Sequence, residues 1–512
     1  MSVSEAFGYA IQALIDPQLL IYLALGVFAG IYVGAIPGLS VTMATSLLIS
    51  FTYTWGTLPA MAAMVGVYIG GVYGGSRSAI LLNIPGAPAA VATALDGYPL
   101  AKKGLAGQAI GVTVIQSVLG GFLGTFVLCF GAPYLSKFAM SFAPRDYFLL
   151  AVIGMFLVSS LANDSTARGI LSAAIGLFIG CIGLDSQTGH NRFVIGPDGS
   201  MFKTYMMLGV SYVVVMIGLF GMSEALMQLR DLTSTPVKQK VDKIVPGFKN
   251  IIKYIPLTLK SSAIGAVVGA LPGTGGDIAA LIAYDQAKRT TKNPETPFGE
   301  GAIEGLVAPE SANNAAIGGA CIPMLSLGIP GDAVTAIMLG AMYIHGLNPG
   351  PLLMTSSPDV FYYIIGSMFV GNVFLLIFGF TGIKAFSKIV EIPKTILMPI
   401  IIILSVVGAF SINSSIMDVY WMVGFGILGY IMKLYKIPVG PCILGVILAD
   451  LLELNFRRAA MMTGNSISAL VLDLVTNPVS AVLVIFIALM AVTSSKKYKA
   501  WRDARAAKKT AK

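Results

Sequence analysis

Two proline-broken stretches of small residues interrupt membrane-grade apolar runs in this chain, Val33-Gly34-Ala35-Ile36-Pro37-Gly38 and Val268-Gly269-Ala270-Leu271-Pro272-Gly273. Each is followed by a second break, Asn83-Ile84-Pro85-Gly86 in the first half and Gly328-Ile329-Pro330-Gly331 in the second. Proline and glycine stop a helix and leave N–H and C=O groups without intrahelical partners. At bilayer depth such groups are tolerated only against protein or a water-filled cavity. Paired interruptions in corresponding places of two halves are the sequence mark of a transporter's substrate site.

The composition supports a membrane setting. Of 512 residues, 56% are hydrophobic and only 11% charged, against roughly a quarter charged in soluble domains. Apolar stretches such as Leu19–Tyr32, Gly107–Phe130, Val360–Phe380 and Val479–Val492 approach the ~20 residues a span needs. Counting broken segments as well, the expectation is an all-α polytopic membrane protein of about 12 transmembrane helices.

The net charge of +9 sits in two places. Lys496, Lys497, Lys499, Arg502, Arg505, Lys508, Lys509 and Lys512 crowd the tail at 495–512, and Arg230, Lys238, Lys240, Lys243, Lys249 and Lys253 crowd a polar connection at 228–254. Basic residues beside span ends mark cytoplasmic loops, so both segments are expected in the cytoplasm, and nucleic acid is not the expected partner. Cys129, Cys181, Cys321 and Cys442 lie in apolar surroundings without CxxC spacing, which argues against a disulfide framework or a metal site. The N-terminus has no basic region with a small-residue cleavage site, so no signal peptide is expected.

The 228–254 segment divides a first membrane repeat, 1–227, from a second, 255–494. The halves align on their breaks: Val33 on Val268, and Ile84-Pro85-Gly86 on Ile329-Pro330-Gly331, with extra length in the polar loop Tyr284–Glu300. This predicts an internal duplication with re-entrant hairpins at 33–45, 73–93, 268–280 and 309–335. Span parity decides whether the repeat is inverted or parallel, and opposed hairpins favour the inverted form.

Half-helix N-termini present aligned N–H donors suited to carboxylates. The substrate-binding candidates are therefore Pro37, Gly38, Ser40, Ser76, Arg77, Ser78, Asn83, Pro85 and Gly86, with Pro272, Gly273, Thr274, Gly275, Pro330 and Gly331 from the second half. Arg77 is a cation in apolar sequence, where charge is functional by default; a snorkelling arginine is the alternative. Asn313, Asn314, Asp277, Asp332 and the Gly328 carbonyl are hard oxygen donors suited to Na⁺ or, for the acids, a proton; Glu310 belongs with them. Each acid could equally be a helix cap. Ser40, Thr42 and Thr45 could line the same cavity, Thr42 and Thr45 lying three apart on one helical face, although such hydroxyls often bond back to their own helix. His190 and His345 are isolated. No nucleotide-binding loop and no nucleophile–base spacing occur, so neither an ATP motor nor an enzyme is expected. No cofactor is expected beyond the coupling Na⁺ or H⁺.

These motifs, with Tyr73-Gly74-Gly75-Ser76-Arg77, Asp96-Gly97-Tyr98-Pro99-Leu100 and Pro309-Glu310-Ser311-Ala312-Asn313-Asn314, resemble the large membrane subunit of the tripartite tricarboxylate transporters, the TctA family, over essentially the whole chain. The resemblance implies a multi-pass protein of the bacterial inner membrane that imports citrate-like tricarboxylates or related carboxylates. It also implies coupling to Na⁺ or H⁺, an elevator-type motion, a small TctB-like membrane subunit and a TctC-like periplasmic solute-binding protein. The competing reading is an uncoupled carboxylate channel or exporter.

Overall fold

The computed structural model describes residues 8, 11, 14–36, 39–161, 166–185, 188–230, 248–381 and 394–494. The basic tail and most of the basic connection lie outside these residues, as do Pro37 and Gly38. The described chain is helical apart from one two-residue hairpin, Gly183–Leu184 paired antiparallel with Asn191–Arg192.

Two compact units emerge, and both draw on chain from either side of the basic connection. The larger comprises 1–139 and 213–431, the smaller 140–212 and 432–512. In the larger unit the first half contributes α1 (Pro17–Ala35), α2 (Val41–Thr52), α3 (Thr57–Leu82), α4 (Ala90–Lys102) and α5 (Ala106–Ala139). The smaller unit takes α6 (Pro144–Leu161), α7 (Thr166–Gly180) and α8 (Met201–Met207). The chain re-enters the larger unit through α9 (Tyr212–Leu229), which carries a π-helical stretch at Ile217–Met222. Then follow α10 (Phe248–Gly269), α11 (Gly275–Thr290), α12 (Glu304–Leu327), α13 (Ala333–Ile344), α14 (Leu353–Ser356), α15 (Pro358–Thr381), α16 (Lys394–Asn413) and α17 (Ile416–Leu434). The last three, α18 (Val439–Met462), α19 (Ile467–Thr476) and α20 (Pro478–Ser494), belong to the smaller unit.

Among the described residues eight helices are long and apolar enough to cross a membrane, or nine if α19 and α20, bent by 95°, make one span. Sequence alone led us to expect about 12. Three further apolar helices, α2, α7 and α13, are shorter than a full span. These are the pieces that the proline-glycine breaks and polar loops leave behind.

Small residues set the helix packing. A Cβ at Gly26, Gly30 or Gly34 of α1 would lie 2.4, 2.5 or 2.2 Å from the carbonyl oxygens of Ala63, Val67 and Gly71 on α3. In return, a Cβ at Gly66, Gly70 or Gly74 would meet those of Leu23, Val27 and Ile31 at 2.5, 2.1 and 2.4 Å. Such spacing every fourth residue lets two backbones touch, which gives van der Waals contact where lipid supplies no hydrophobic drive between helices. The second half repeats the device: a Cβ at Gly265 or Gly269 of α10 would lie 2.1 or 2.4 Å from the Ala312 and Ala316 oxygens of α12. In the smaller unit a Cβ at Gly176 of α7 would lie 1.8 Å from the Cys442 oxygen on α18.

Gly70→Val should therefore destabilise the protein at or above the top of the ~1–3 kcal/mol range for overpacking. Size-exclusion profiles and melting in detergent would show this. Gly424→Ala, with nothing within 4 Å of the added atom, should leave both unchanged.

Candidate functional site

The breaks of the larger unit converge. In the first half, α3 ends at Asn83 in the left-handed conformation (φ 55°, ψ 28°). The chain after it folds back until a Cβ at Gly86 would lie 2.1 Å from the Gly34 carbonyl oxygen. In the second half, α12 ends at Gly328, also left-handed (φ 70°), and the Gly273 N–H donates to the Gly331 carbonyl at 2.7 Å. The two breaks of each half thus lie against each other. A bond between halves ties them together, as the Ala89 N–H just ahead of α4 donates to Asp277 Oδ1 at 3.0 Å. The starts of α4, α11 and α13 consequently meet, bringing three half-helix N-termini and their partial positive charge into one region. Val41, the first residue of α2, packs on Gly71 of α3, where a Cβ would lie 2.7 Å from its side chain.

The hydroxyl and amide candidates divide by what they bond. Ser40 caps α2, accepting from Met43 N at 3.1 Å and sharing a bond with Thr42. Ser78 donates back to the Gly75 carbonyl, Thr45 to that of Val41, and Thr274 to those of Leu271 and Val268. Asn83 is exposed, Pro85, Pro272 and Gly273 are half-buried, and Pro330 and Gly331 are buried. Gly275 packs on Asp332, 3.1 Å from its Cβ to an added carbon. Asn313 is buried beside Gly276, where a Cβ would lie 2.1 Å from its Oδ1. Asn314 is fully buried; its Nδ2 donates to the Glu310 carbonyl at 3.0 Å, and its Oδ1 has no partner among the described residues.

The charged candidates separate more sharply. Asp332 caps α13 in a reciprocal box with Thr335 and also accepts from the Tyr68 hydroxyl of α3. Asp277 sits in the first turn of α11, is exposed, and receives the Ala89 N–H. Arg77 is fully buried, with its Nε on the Tyr73 hydroxyl and its Nη2 on the carbonyls of Phe378 and Gly379 at 3.2 and 2.7 Å. Those oxygens belong to the last turn of α15, the negative end of its dipole. The guanidinium thus fastens α3 to α15. Glu310 is buried and accepts from Ser76 and Thr93, each at 2.5 Å to Oε1, and from Ser117 at 2.9 Å to Oε2.

Residue-by-residue reading missed Tyr68, Thr93 and Ser117, and attached Asp96 to the family pattern without a role. Asp96 is fully buried; it accepts the N–H groups of Gly299, Gly301 and Ala302 at 2.8 to 2.9 Å and the Tyr284 hydroxyl at 2.9 Å. It holds the loop between α11 and α12 onto α4. The one available signal was spacing: Thr93 and Asp96 lie three apart on α4 and share a face, and each reaches into the second half.

The architecture is that of a multi-pass α-helical membrane protein whose two halves interlock at broken helices. The family model described as the tripartite tricarboxylate transporter TctA family matches residues 20–444, and the chain belongs to that family. It is similar to an uncharacterized 52.8 kDa protein in the TAR-I ttuC' 3' region of Agrobacterium vitis, 34% identical over 506 residues, covering 98% of this chain and 99% of that one. An uncharacterized protein in the TAR-II ttuC' 3' region of the same organism is 41% identical over 219 residues, 43% of this chain and 88% of that one. No solved structure matches the chain.

Asp96→Ala leaves the buried N–H groups of Gly301 and Ala302 without an acceptor, and each orphan costs about 1–3 kcal/mol. The expected result is a lowered melting temperature and protease cleavage within 291–303. An uncut loop at wild-type stability would remove Asp96 from this role.

Proposed function

We propose that this chain is the large transmembrane subunit of a binding-protein-dependent secondary transporter that imports tricarboxylates or related carboxylates, driven by Na⁺ or H⁺. The observation that carries the reading is the meeting of the α4, α11 and α13 N-termini, joined by the Gly273–Gly331 and Ala89–Asp277 bonds. Converging N–H groups and helix dipoles suit carboxylate groups. Asp277, exposed at the same place, would repel an anion unless a cation neutralised it. That supplies a physical reason for coupling: cation and carboxylate bind more favourably together than separately.

The cation's oxygen donors in this proposal are Asp277, Asn313 and Asn314 with nearby carbonyls, and the duplicated halves form an inverted pair working as an elevator. The family's tripartite organisation supports a small membrane subunit and a periplasmic binding protein as partners, with the basic connection and tail in the cytoplasm of a bacterial inner membrane.

In proteoliposomes, a carrier should show saturable counterflow of labelled citrate or another carboxylate, and uphill accumulation only with a Na⁺ or proton gradient. Asn313→Ala should lower uptake by about tenfold, ~1.4 kcal/mol, at normal membrane abundance. Asn83→Gly, which keeps the left-handed turn, should transport normally. Flux that is non-saturable and independent of both gradients would instead make the protein a channel.

A further inference from the structure

We propose that Glu310 is the group that takes up and releases a coupling proton. The inference rests on the carrier reading above and gives a proton its own site, apart from the cation donors Asp277, Asn313 and Asn314.

Glu310 sits at a junction of four helices, since its partners Ser76, Thr93 and Ser117 come from α3, α4 and α5 while it belongs to α12. The carboxyl thus joins the broken hairpin of the first half to the core helix of the second. It is 1% exposed, and among the described residues no cation bonds to it. The charged groups on the packed elements are directed elsewhere. Arg77 on α3 is bonded to the end of α15, and Asp96 on α4 to the loop at 299–302. Asp277 on α11 receives Ala89 N, and Lys260 on α10 reaches Thr290. Around Ser117, α5 carries no charged residue, and Glu304 begins α12 nearly two turns away.

A buried carboxylate without a counter-charge is costly even when hydrogen-bonded. Three hydroxyl donors make the ionised form tolerable while the four helices stay together. Moving α3 and α4 away, while α5 stays against α12 at Gly120 and Gly124, would strip the Ser76 and Thr93 donors and leave a poorly solvated charge in an apolar interior. Protonation removes that obstacle. The carboxylate accepts one proton on an oxygen, the resulting O–H donates to a neighbouring hydroxyl, and a neutral acid is left that can be carried across the bilayer. On the other side the proton departs and the hydroxyls close on the carboxylate again. Proton occupancy at Glu310 therefore decides whether the hairpin can leave α12, which is the coupling a symporter requires.

The test has two arms. Infrared difference spectra of the purified protein across a pH titration should show the carbonyl stretch of a buried carboxylic acid, absent from Glu310→Gln. Thr93→Val and Ser117→Ala, which remove donors to the ionised form, should move the band's titration to higher pH. A band unchanged in Glu310→Gln overturns the proposal. In proteoliposomes with trapped pyranine and labelled citrate, Glu310→Gln should keep citrate exchange but lose substrate-linked proton entry and accumulation driven by a pH gradient. Proton-driven accumulation that survives in Glu310→Gln, or wild-type uptake driven by Na⁺ with no proton movement, also overturns it. Absence of saturable carboxylate exchange in the wild type sinks the carrier reading itself, and the infrared band then reports separately on Glu310.

Discussion

Backbone-to-backbone contact between helices is the interaction on which the rest of this structure depends. A hydrocarbon solvent is as apolar as a leucine side chain, so burying apolar surface between helices gains little. What remains is close packing, and close packing needs residues without side chains where helices cross. The interleaved glycines of α1 and α3, and those of α10 against the alanines of α12, let carbonyl oxygens approach to distances that any Cβ would block. Because these crossings are rigid, the breaks at the helix ends are held in place and their unpaired groups can be shared between halves.

That sharing explains why the polar residues lie where they do. Ties from the first half to the second include Tyr68 to Asp332, Ala89 to Asp277, Ser76, Thr93 and Ser117 to Glu310, Asp96 to the 299–302 loop, and Arg77 to the end of α15. Each satisfies a group that would be expensive to bury alone. Some of them, Arg77 and Asp96 above all, are scaffold and fix helix ends and loops. Others, Glu310 and Asp277, are the carboxyl groups to which the proposals above give the coupling proton and cation. On that proposal polarity inside the membrane serves two purposes, and only the bonding pattern separates them.

Much of the design was legible in the chain. The proline-glycine breaks predicted interrupted helices, and both second breaks are indeed left-handed helix ends. The back-bonding expected of apolar-helix hydroxyls holds for Thr45, Ser78, a substrate-binding candidate, bonds back in the same way, and Asp332 is the cap it could equally have been. The glycine spacing at 26, 30 and 34 and at 66, 70 and 74 was equally open to reading, since small residues every fourth position mark helix contacts. Arg77 was not legible as a clamp, because a cation in apolar sequence says nothing of the distant carbonyls it meets.

By itself, the sequence determined the solvent, the helical class, the family and the places where helices must stop, because hydropathy, charge placement and backbone chemistry are local properties. Only the tertiary structure decided which broken ends face each other, that Glu310 lies among three hydroxyls, and that Asp96 and Arg77 hold elements together. Those facts depend on contacts between residues hundreds of positions apart. No periodicity or motif encodes them, because such a contact is decided by how close two backbones can come.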